Sequence, residues 1–228
     1  PAIVTAHPEL WAGAVPGALL VEPDETLRLA PGQHDLVIHA MALHWADDPV
    51  GQMVQCRHAL TEDGLLLVAC FGGQTLHELR ACLSDAEIET TGGLSPRIAP
   101  MADLRDLGGL LQRAGLALPV ADRDTITVSY RDPLRLMHDL RAVGETNVMN
   151  ERRKVPLRRA TLLRALALYA ERYSDADGRV PATFELAFLH GWAPSPDQPK
   201  PLRPGSATTR LADVLGTVEQ PAGEKTGR

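Results

Sequence analysis

The chain has 228 residues, with 23 Lys and Arg against 29 Asp and Glu, a formal net charge of −6. That balance excludes a general nucleic-acid binder, whose phosphate contacts require a basic surplus, while 44 % hydrophobic residues exclude a chain disordered throughout and suffice for one substantial core. The longest wholly apolar run, Leu65 to Phe71, is far short of the about 20 residues a membrane-crossing helix needs, and Cys56, Cys70 and Cys82 form no C-x-x-C pair and no even set, so a reducing, cytoplasmic setting is expected.

In chain order, the sequence begins with Pro1 rather than Met and runs directly into Ala2-Ile3-Val4-Thr5, which reads as a strand; further sequence ahead of it is expected. Residues 8–14 have room for one or two helical turns. Residues 18–21 and 35–41 are apolar runs bounded by Pro, Gly and acidic residues, the pattern of buried strands. Asp47-Asp48-Pro49 supplies a capping carboxylate and a first-turn proline ahead of Val50, Met53, Val54 and Leu60, which predicts a helix over 49–60. Thr61-Glu62-Asp63-Gly64 reads as a turn, and residues 65–71 are apolar on both faces, as in a central parallel strand. Gly72-Gly73 ends that strand. Leu76, Leu79 and Leu83 predict a helix over 74–83, and Leu104, Leu107, Leu111 and Ala114 predict another that stops at Gly115.

Thereafter residues 116–120 and 125–130 read as two strands with an acidic turn, 121–124, between them. Helices are expected over 133–143 and 158–173, the second with Leu162, Leu163, Leu166, Tyr169 and Tyr173 on one side. Residues 181–192 form the last expected strand, alternating Phe184, Leu186 and Phe188 against Glu185 and His190. These elements predict a domain over 1–192 with a helical insertion at 132–178. Residues 193–228, rich in Pro, Ser, Gly and charge, predict an extended tail with one helical turn near 211–215.

Alternating strands and helices predict an α/β fold with a parallel sheet covered on both faces, whose ligands bind beyond the carboxyl ends of the strands. The residues to weigh are therefore Asp24 and Glu25, then Ala42, Leu43, His44 and Trp45, then Phe71, Gly72, Gly73 and Thr75. Gly72 and Gly73 predict an uncovered strand end, and a helix starting at Thr75 would aim free N–H groups into the same cleft, where an anion fits. Glu78 and Arg80 on that helix are candidates to bind a substrate base or acid, against the plainer reading of solvated charges. Tyr130 and Asn147 are further candidate substrate contacts. Arg152, Arg153, Lys154, Arg158 and Arg159 make a basic cluster suited to an acidic protein partner or carrier protein, or simply a solvated helix entry. His39 and His44 lack a third ligand nearby, so no metal is expected, and Cys70 reads as a buried small hydrophobe.

Taken together, Pro23-Asp24-Glu25-Thr26-Leu27, Ala42-Leu43-His44-Trp45-Ala46-Asp47-Asp48-Pro49 and Leu60-Thr61-Glu62-Asp63-Gly64-Leu65-Leu66 resemble the class I S-adenosylmethionine (SAM)-dependent methyltransferase family, in the branch of the malonyl-carrier-protein methyltransferase of biotin synthesis. A closer resemblance is carried by Phe71-Gly72-Gly73-Gln74-Thr75-Leu76-His77-Glu78-Leu79-Arg80, Gly92-Gly93-Leu94-Ser95-Pro96, Arg105-Asp106-Leu107-Gly108 and Gln198-Pro199-Lys200-Pro201-Leu202. These resemble the bacterial relatives of a mitochondrial complex I assembly factor that hydroxylates an arginine. The resemblance implies a Rossmann-like methyltransferase sheet, SAM as cofactor with Asp24, Glu25, Ala42, Leu43 and His44 at its site, and substrate contacts from Trp45, Phe71, Gly72, Gly73, Thr75, Glu78, Arg80, Tyr130 and Asn147. It implies methyl transfer to an unidentified acceptor, or alternatively arginine hydroxylation or a non-catalytic role in assembling a respiratory complex. The family opens with a strand and a G-x-G-x-G turn that this sequence does not contain, and His7, with Glu9 two residues on, stands where the family has an acidic ribose ligand. The expectation is that this strand lies ahead of Pro1 or that the chain has lost the cofactor.

Overall fold

The computed structural model describes residues 1–149, 151–199, 206 and 209–218. The chain forms two compact units, Pro1–Ser195 and Pro196–Arg228. The second contributes one described element, a short helix at Leu211–Leu215; Lys200, Pro201 and Leu202 lie outside the described residues.

The first unit is built on six strands: β1 (Ala2–Thr5), β2 (Leu19–Val21), β3 (His34–Ala40), β4 (Leu60–Phe71), β5 (Ala117–Tyr130) and β6 (Val180–Trp192). They lie in the order β2-β1-β3-β4-β6-β5. β1 to β4 are mutually parallel, and the last two pairings, β4 with β6 and β6 with β5, are antiparallel. Crossovers and caps are supplied by α1 (Pro8–Trp11), α2 (Pro49–Ala59), α3 (His77–Thr91), α4 (Leu104–Arg113), α5 (Pro133–Ala142) and α6 (Arg159–Tyr173). This is the expected Rossmann-like sheet, but mixed where a parallel one was expected, because β6, entered after α5 and α6, runs antiparallel to both its neighbours.

Both faces are covered, each by its own apolar cluster. Leu66, Val68, Cys70, Ala187 and Leu189 point one way and pack with Met53 and Cys56 of α2 and Leu107 and Leu111 of α4. Val180 and Ala182, two residues apart and of opposite parity, point the other way. They meet Leu79, Cys82 and Leu83 of α3, Leu136 of α5, and Ala165, Leu168 and Tyr169 of α6. Among the described residues no helix is long and apolar enough to cross a membrane.

Several elements differ from the sequence pattern for identifiable reasons. The expected turn at 61–64 is an excursion inside β4: His34 pairs with Leu60 and Leu36 with Leu65, so three extra residues are looped out, with Asp63 at φ 59. The expected acidic turn at 121–124 is continuous strand, with Asp122 opposite Phe188 and Asp124 opposite Leu186. β5 is an edge strand, so its charged side chains reach water while its backbone follows the long partner β6. α3 runs on to Thr91, eight residues past the expected end, burying Ala86 and Glu87 before Gly92 at φ 71 closes it. The buried stripe of α6 is Thr161, Ala165, Leu168 and Tyr169, and Leu163 is 55 % exposed. In β6 the expected alternation is inverted at two places: Glu185 is buried and Phe188 is 44 % exposed.

Candidate functional site

The four parallel strands end at one edge of the sheet, and their following loops lie there together. β3 leaves this edge through Met41, at φ 51, and a 3-10 turn at Leu43–Trp45. β4 leaves it through Phe71 and a tight turn to α3. Against these ends lies a cavity of about 450 Å³, within the range that holds small ligands. His44 and Trp45, Phe71 and Thr75, Leu79 and Leu83 of α3, residues 97–101, Met137, Leu140 and Arg141 of α5, residues 145–149, and Phe184 of β6 form its wall.

The polar centre of this wall is Glu145, in the connection between α5 and α6. The indole Nε1 of Trp45 donates to Glu145 Oε2 at 3.1 Å, and His44 Nε2 lies 3.2 and 3.3 Å from the two carboxylate oxygens. A carboxylate only accepts, so Nε2 carries the proton. The His44 and Glu145 side chains are 4 % and 16 % exposed. The His44 ring lies edge-on to Trp45 and to Phe71, with centroids 5.2 and 5.0 Å apart, and Phe71 stands 5.9 Å from Phe184. At the edge's other end, His7 Nε2 bonds the Val143 carbonyl at 3.2 Å, which ties the loop after β1 to the same α5–α6 connection.

A buried acid, Glu87 of α3, holds Arg97 of the cavity wall from behind. It accepts from Ser95 N and Oγ, from Arg97 Nη2, and from Arg153 Nη1 at 3.4 Å. Burial alone would raise its pKa, but the bonds from Arg97 and Ser95 outweigh that and bring it down to about 2. Asn147 Nδ2 donates to the carbonyls of Pro96 and Arg97, and Arg80 donates to those of Gly73, Thr75 and Ala99. Residues 95–101 are thereby stitched to both α3 and the α5–α6 connection.

Of the sequence candidates, His44, Trp45, Phe71, Thr75 and Asn147 come together in the cavity wall. Asp24 and Glu25 stand exposed after β2. Asp24 Oδ1 accepts from Glu25 N, and the Glu25 carboxylate holds Asp47 N and Asp48 N. Ala42 and Leu43 are core residues, 1 % and 2 % exposed, and neither is among the residues lining the cavity. Gly72 and Gly73 correct the expectation of an open strand end. A Cβ on Gly72 would sit 2.2 Å from Glu185 Oε1, and one on Gly73 would sit 3.3 Å from the Met101 carbonyl oxygen. The glycines are bare because neighbours occupy their side-chain space. The N–H groups before α3 are likewise taken: Thr75 N bonds Gly72 O and Leu76 N bonds Thr183 O, so no anion site opens there. Glu78, 3 % exposed, turns to Thr183 N and Oγ1. Glu78, Arg80 and Tyr130 do not reach the cavity; Tyr130 is half-buried beside the α3–α6 cluster. Arg152 Nη1 bonds Met149 O.

Cys56, Cys70 and Cys82 are free and buried, and burial pushes the Cys56 and Cys70 thiols up to about 12. His39 is 0 % exposed and bonds Gln52 through Nε2 at 2.8 Å. Among the described residues no cluster of His, Cys, Asp and Glu fits a metal. Of the five residues expected at a SAM site, His44 lines the cavity. β1 pairs directly with β3, Val4 opposite His39, and of the five residues assigned to the cofactor two are in the core and two cap backbone N–H groups. What the described residues build is a cavity wall of aromatic and apolar side chains around the His44, Trp45 and Glu145 cluster.

No protein-family profile matches the chain. It is 39 % identical over 200 residues to the mitochondrial arginine-hydroxylase NDUFAF5 of Danio rerio, an alignment covering 88 % of this chain and 62 % of that protein. The Homo sapiens NDUFAF5 is 39 % identical over 92 % of this chain and 61 % of its own length. The malonyl-[acyl-carrier protein] O-methyltransferase of Xylella fastidiosa is 34 % identical over 79 % of this chain and 59 % of its length. The chain thus spans about three fifths of these relatives. Among solved structures, a candidate methyltransferase from Bacillus halodurans superposes with a TM-score of 0.51 at 15 % identity, covering 85 % of this chain and 90 % of that one, and YcgJ of Bacillus subtilis does so with 0.51 at 10 %, covering 83 % and 77 %.

Proposed function

We propose that this chain, similar to the NDUFAF5 arginine hydroxylases and the malonyl-carrier-protein methyltransferases and sharing the methyltransferase fold, works as a SAM-dependent methyltransferase whose acceptor enters the cavity at the ends of β3 and β4. The observation that carries this reading is that His44, Trp45 and Phe71, from two adjacent strand ends, share one wall of about 450 Å³ with the α5–α6 insertion. Methyl transfer from a sulfonium needs little acid or base; positioning is the protein's main contribution. That fits a pocket walled by apolar and aromatic side chains. Asp24, exposed at the end of β2, is our candidate for the adenine contact, and Asp24→Ala should weaken SAM binding by about 1–3 kcal/mol; unchanged affinity would remove that assignment. The free cysteines support a reducing compartment, the cytoplasm. Arg152, Arg153, Lys154, Arg158 and Arg159 support docking of an acidic protein partner.

A second reading, arginine hydroxylation, is favoured by the higher identity to the hydroxylases, 39 % against 34 %. It requires an oxidant and a reductant. Equilibrium dialysis with labelled SAM tests the cofactor, and no retention at millimolar concentration would end the methyltransferase reading. Product mass separates the chemistries, a gain of about 14 Da for methylation against about 16 Da for hydroxylation.

A further inference from the structure

We propose that a second cavity, between α3 and residues 94–98, is a binding site for a phosphate group, held by the guanidinium groups of Arg80 and Arg97 and the hydroxyl of Ser84. This is independent of the methyltransferase reading and of what the larger cavity accepts.

The site follows from how α3 is built. Arg80, Ser84 and Glu87 stand four and three residues apart on one face of the helix, and the chain that leaves α3 folds back along that face. Ala99 O accepts from Arg80 Nη2 near one end, and Ser95 N and Oγ donate to the Glu87 carboxylate near the other. The two layers leave a space of about 300 Å³, lined by Arg80, Ser84 and residues 94–98. Arg97 and Ile98 line this space and the larger cavity alike.

The surroundings of this space are cationic. Arg97 and Arg153 share the single carboxylate of Glu87. Among the described residues Arg80 forms no ion pair, and its Nη groups donate to the carbonyls of Gly73, Thr75 and Ala99. Of the other acids of α3, Asp85 and Glu89 are paired with Arg172 and Arg164 of α6, and Glu78 turns to Thr183. Three guanidinium groups thus stand against one carboxylate, in a chain whose formal charge is −6. Burial lowers the Arg80 pKa, as it does for a cation taken from water without an acid to compensate it.

The hydrogen bonds call for an acceptor in the same place. Among the described residues five buried side-chain nitrogens lack a partner, and three of them belong to His34, His39 and His44, whose rings can leave a nitrogen without a proton. The other two are Nε of Arg80 and Nε of Arg97, which always carry one. Both residues line this one cavity, and a buried donor left unmade is costly. A phosphate group supplies acceptor oxygens in several directions and about two negative charges near neutral pH, and guanidinium groups bind it through paired, charge-assisted bonds. The Ser84 hydroxyl adds a further donor. A carboxylate, with a single charge, answers the cationic surplus less well.

Isothermal titration of the whole chain with inorganic phosphate and with glycerol phosphate tests this, acetate serving as the singly charged comparison. One saturable site per chain should take a phosphate about tenfold more tightly than acetate. Ser84→Asp sets a carboxylate in the wall and should weaken phosphate about tenfold or more, whereas Ser84→Asn, similar in shape and uncharged, should stay within about threefold of the unaltered chain. Tighter binding of the ester identifies the phosphate as part of a larger molecule, and tighter binding of inorganic phosphate identifies the free anion. Hydrogen exchange on the unaltered chain locates the site even if Ser84→Asp does not fold: phosphate should slow exchange in residues 94–98 and leave 152–159 unchanged. No saturable phosphate binding up to about 20 mM, acetate bound as tightly, binding that Ser84→Asp leaves intact, or protection confined to residues 152–159 would each overturn the proposal.

Discussion

Gly72 is bare because Glu185 needs the room. The carboxylate is 2 % exposed, is paired with Arg123 at 3.3 Å, and stands where a Cβ on Gly72 would be. Gly72→Ala must push a buried acid out of place, and we expect a loss of about 1–3 kcal/mol in urea unfolding; a loss below about 0.5 kcal/mol would mean that Glu185 relocates freely. The sequence displayed this glycine pair but not its reason, since a strand-end Gly-Gly reads equally as an opening or as a close approach. Charges on α3 were similarly ambiguous. Glu78 and Arg80 carry no sign of direction in one dimension, and both turn to backbone groups of their own surroundings. Glu145 was illegible for a different reason. It sits in a short polar run, Gly144-Glu145-Thr146-Asn147, with no periodicity, and its partners lie 100 and 101 residues away.

Elements were legible where local chemistry sufficed. The Asp48 carboxylate accepts from Gly51 N at 2.8 Å, and Pro49 follows at the first position of α2, as the sequence predicts. Asp48→Ala should cost about 1 kcal/mol of stability, and Asp48→Asn much less; equal losses would show that the cap is not the cause. β1, β3 and α4 were legible through uninterrupted apolar runs or a regular stripe. β5 was not, because its solvent-facing charges imitate a turn until the strand is seen to lie at an edge against β6. α3 was read short because Ser84 and Asp85 interrupt its leucine pattern, while Cys82 and Ala86 continue the buried stripe.

At the level of the whole molecule, the sheet was legible as doubly covered and, through β1 to β4, as parallel, whereas the antiparallel course of β6 and two buried titratable anchors were hidden. Burial lowers the His39 pKa to about 4, so the unfolded chain binds this proton first as pH falls below 6.5. Folding should lose stability between pH 6.5 and 4, on the order of 3 kcal/mol. Glu87, held near 2, contributes stability that is full above its ordinary range and is lost as pH falls from about 4.5 towards 2. Chemical unfolding at pH 7, 5 and 3 should show both losses, and His39→Gln should flatten the first alone; an unchanged slope between pH 7 and 5 would exclude His39 as its source. The His44–Glu145 bond has a different bearing, on biosynthesis. At the ribosome the aromatic wall emerges long before the acid that fastens it, so a nascent chain halted ahead of Gly144 holds Trp45 with its indole N–H unanswered. Only when residue 145 has followed can the indole find its carboxylate, so this wall of the cavity closes late relative to the strands that carry its rings.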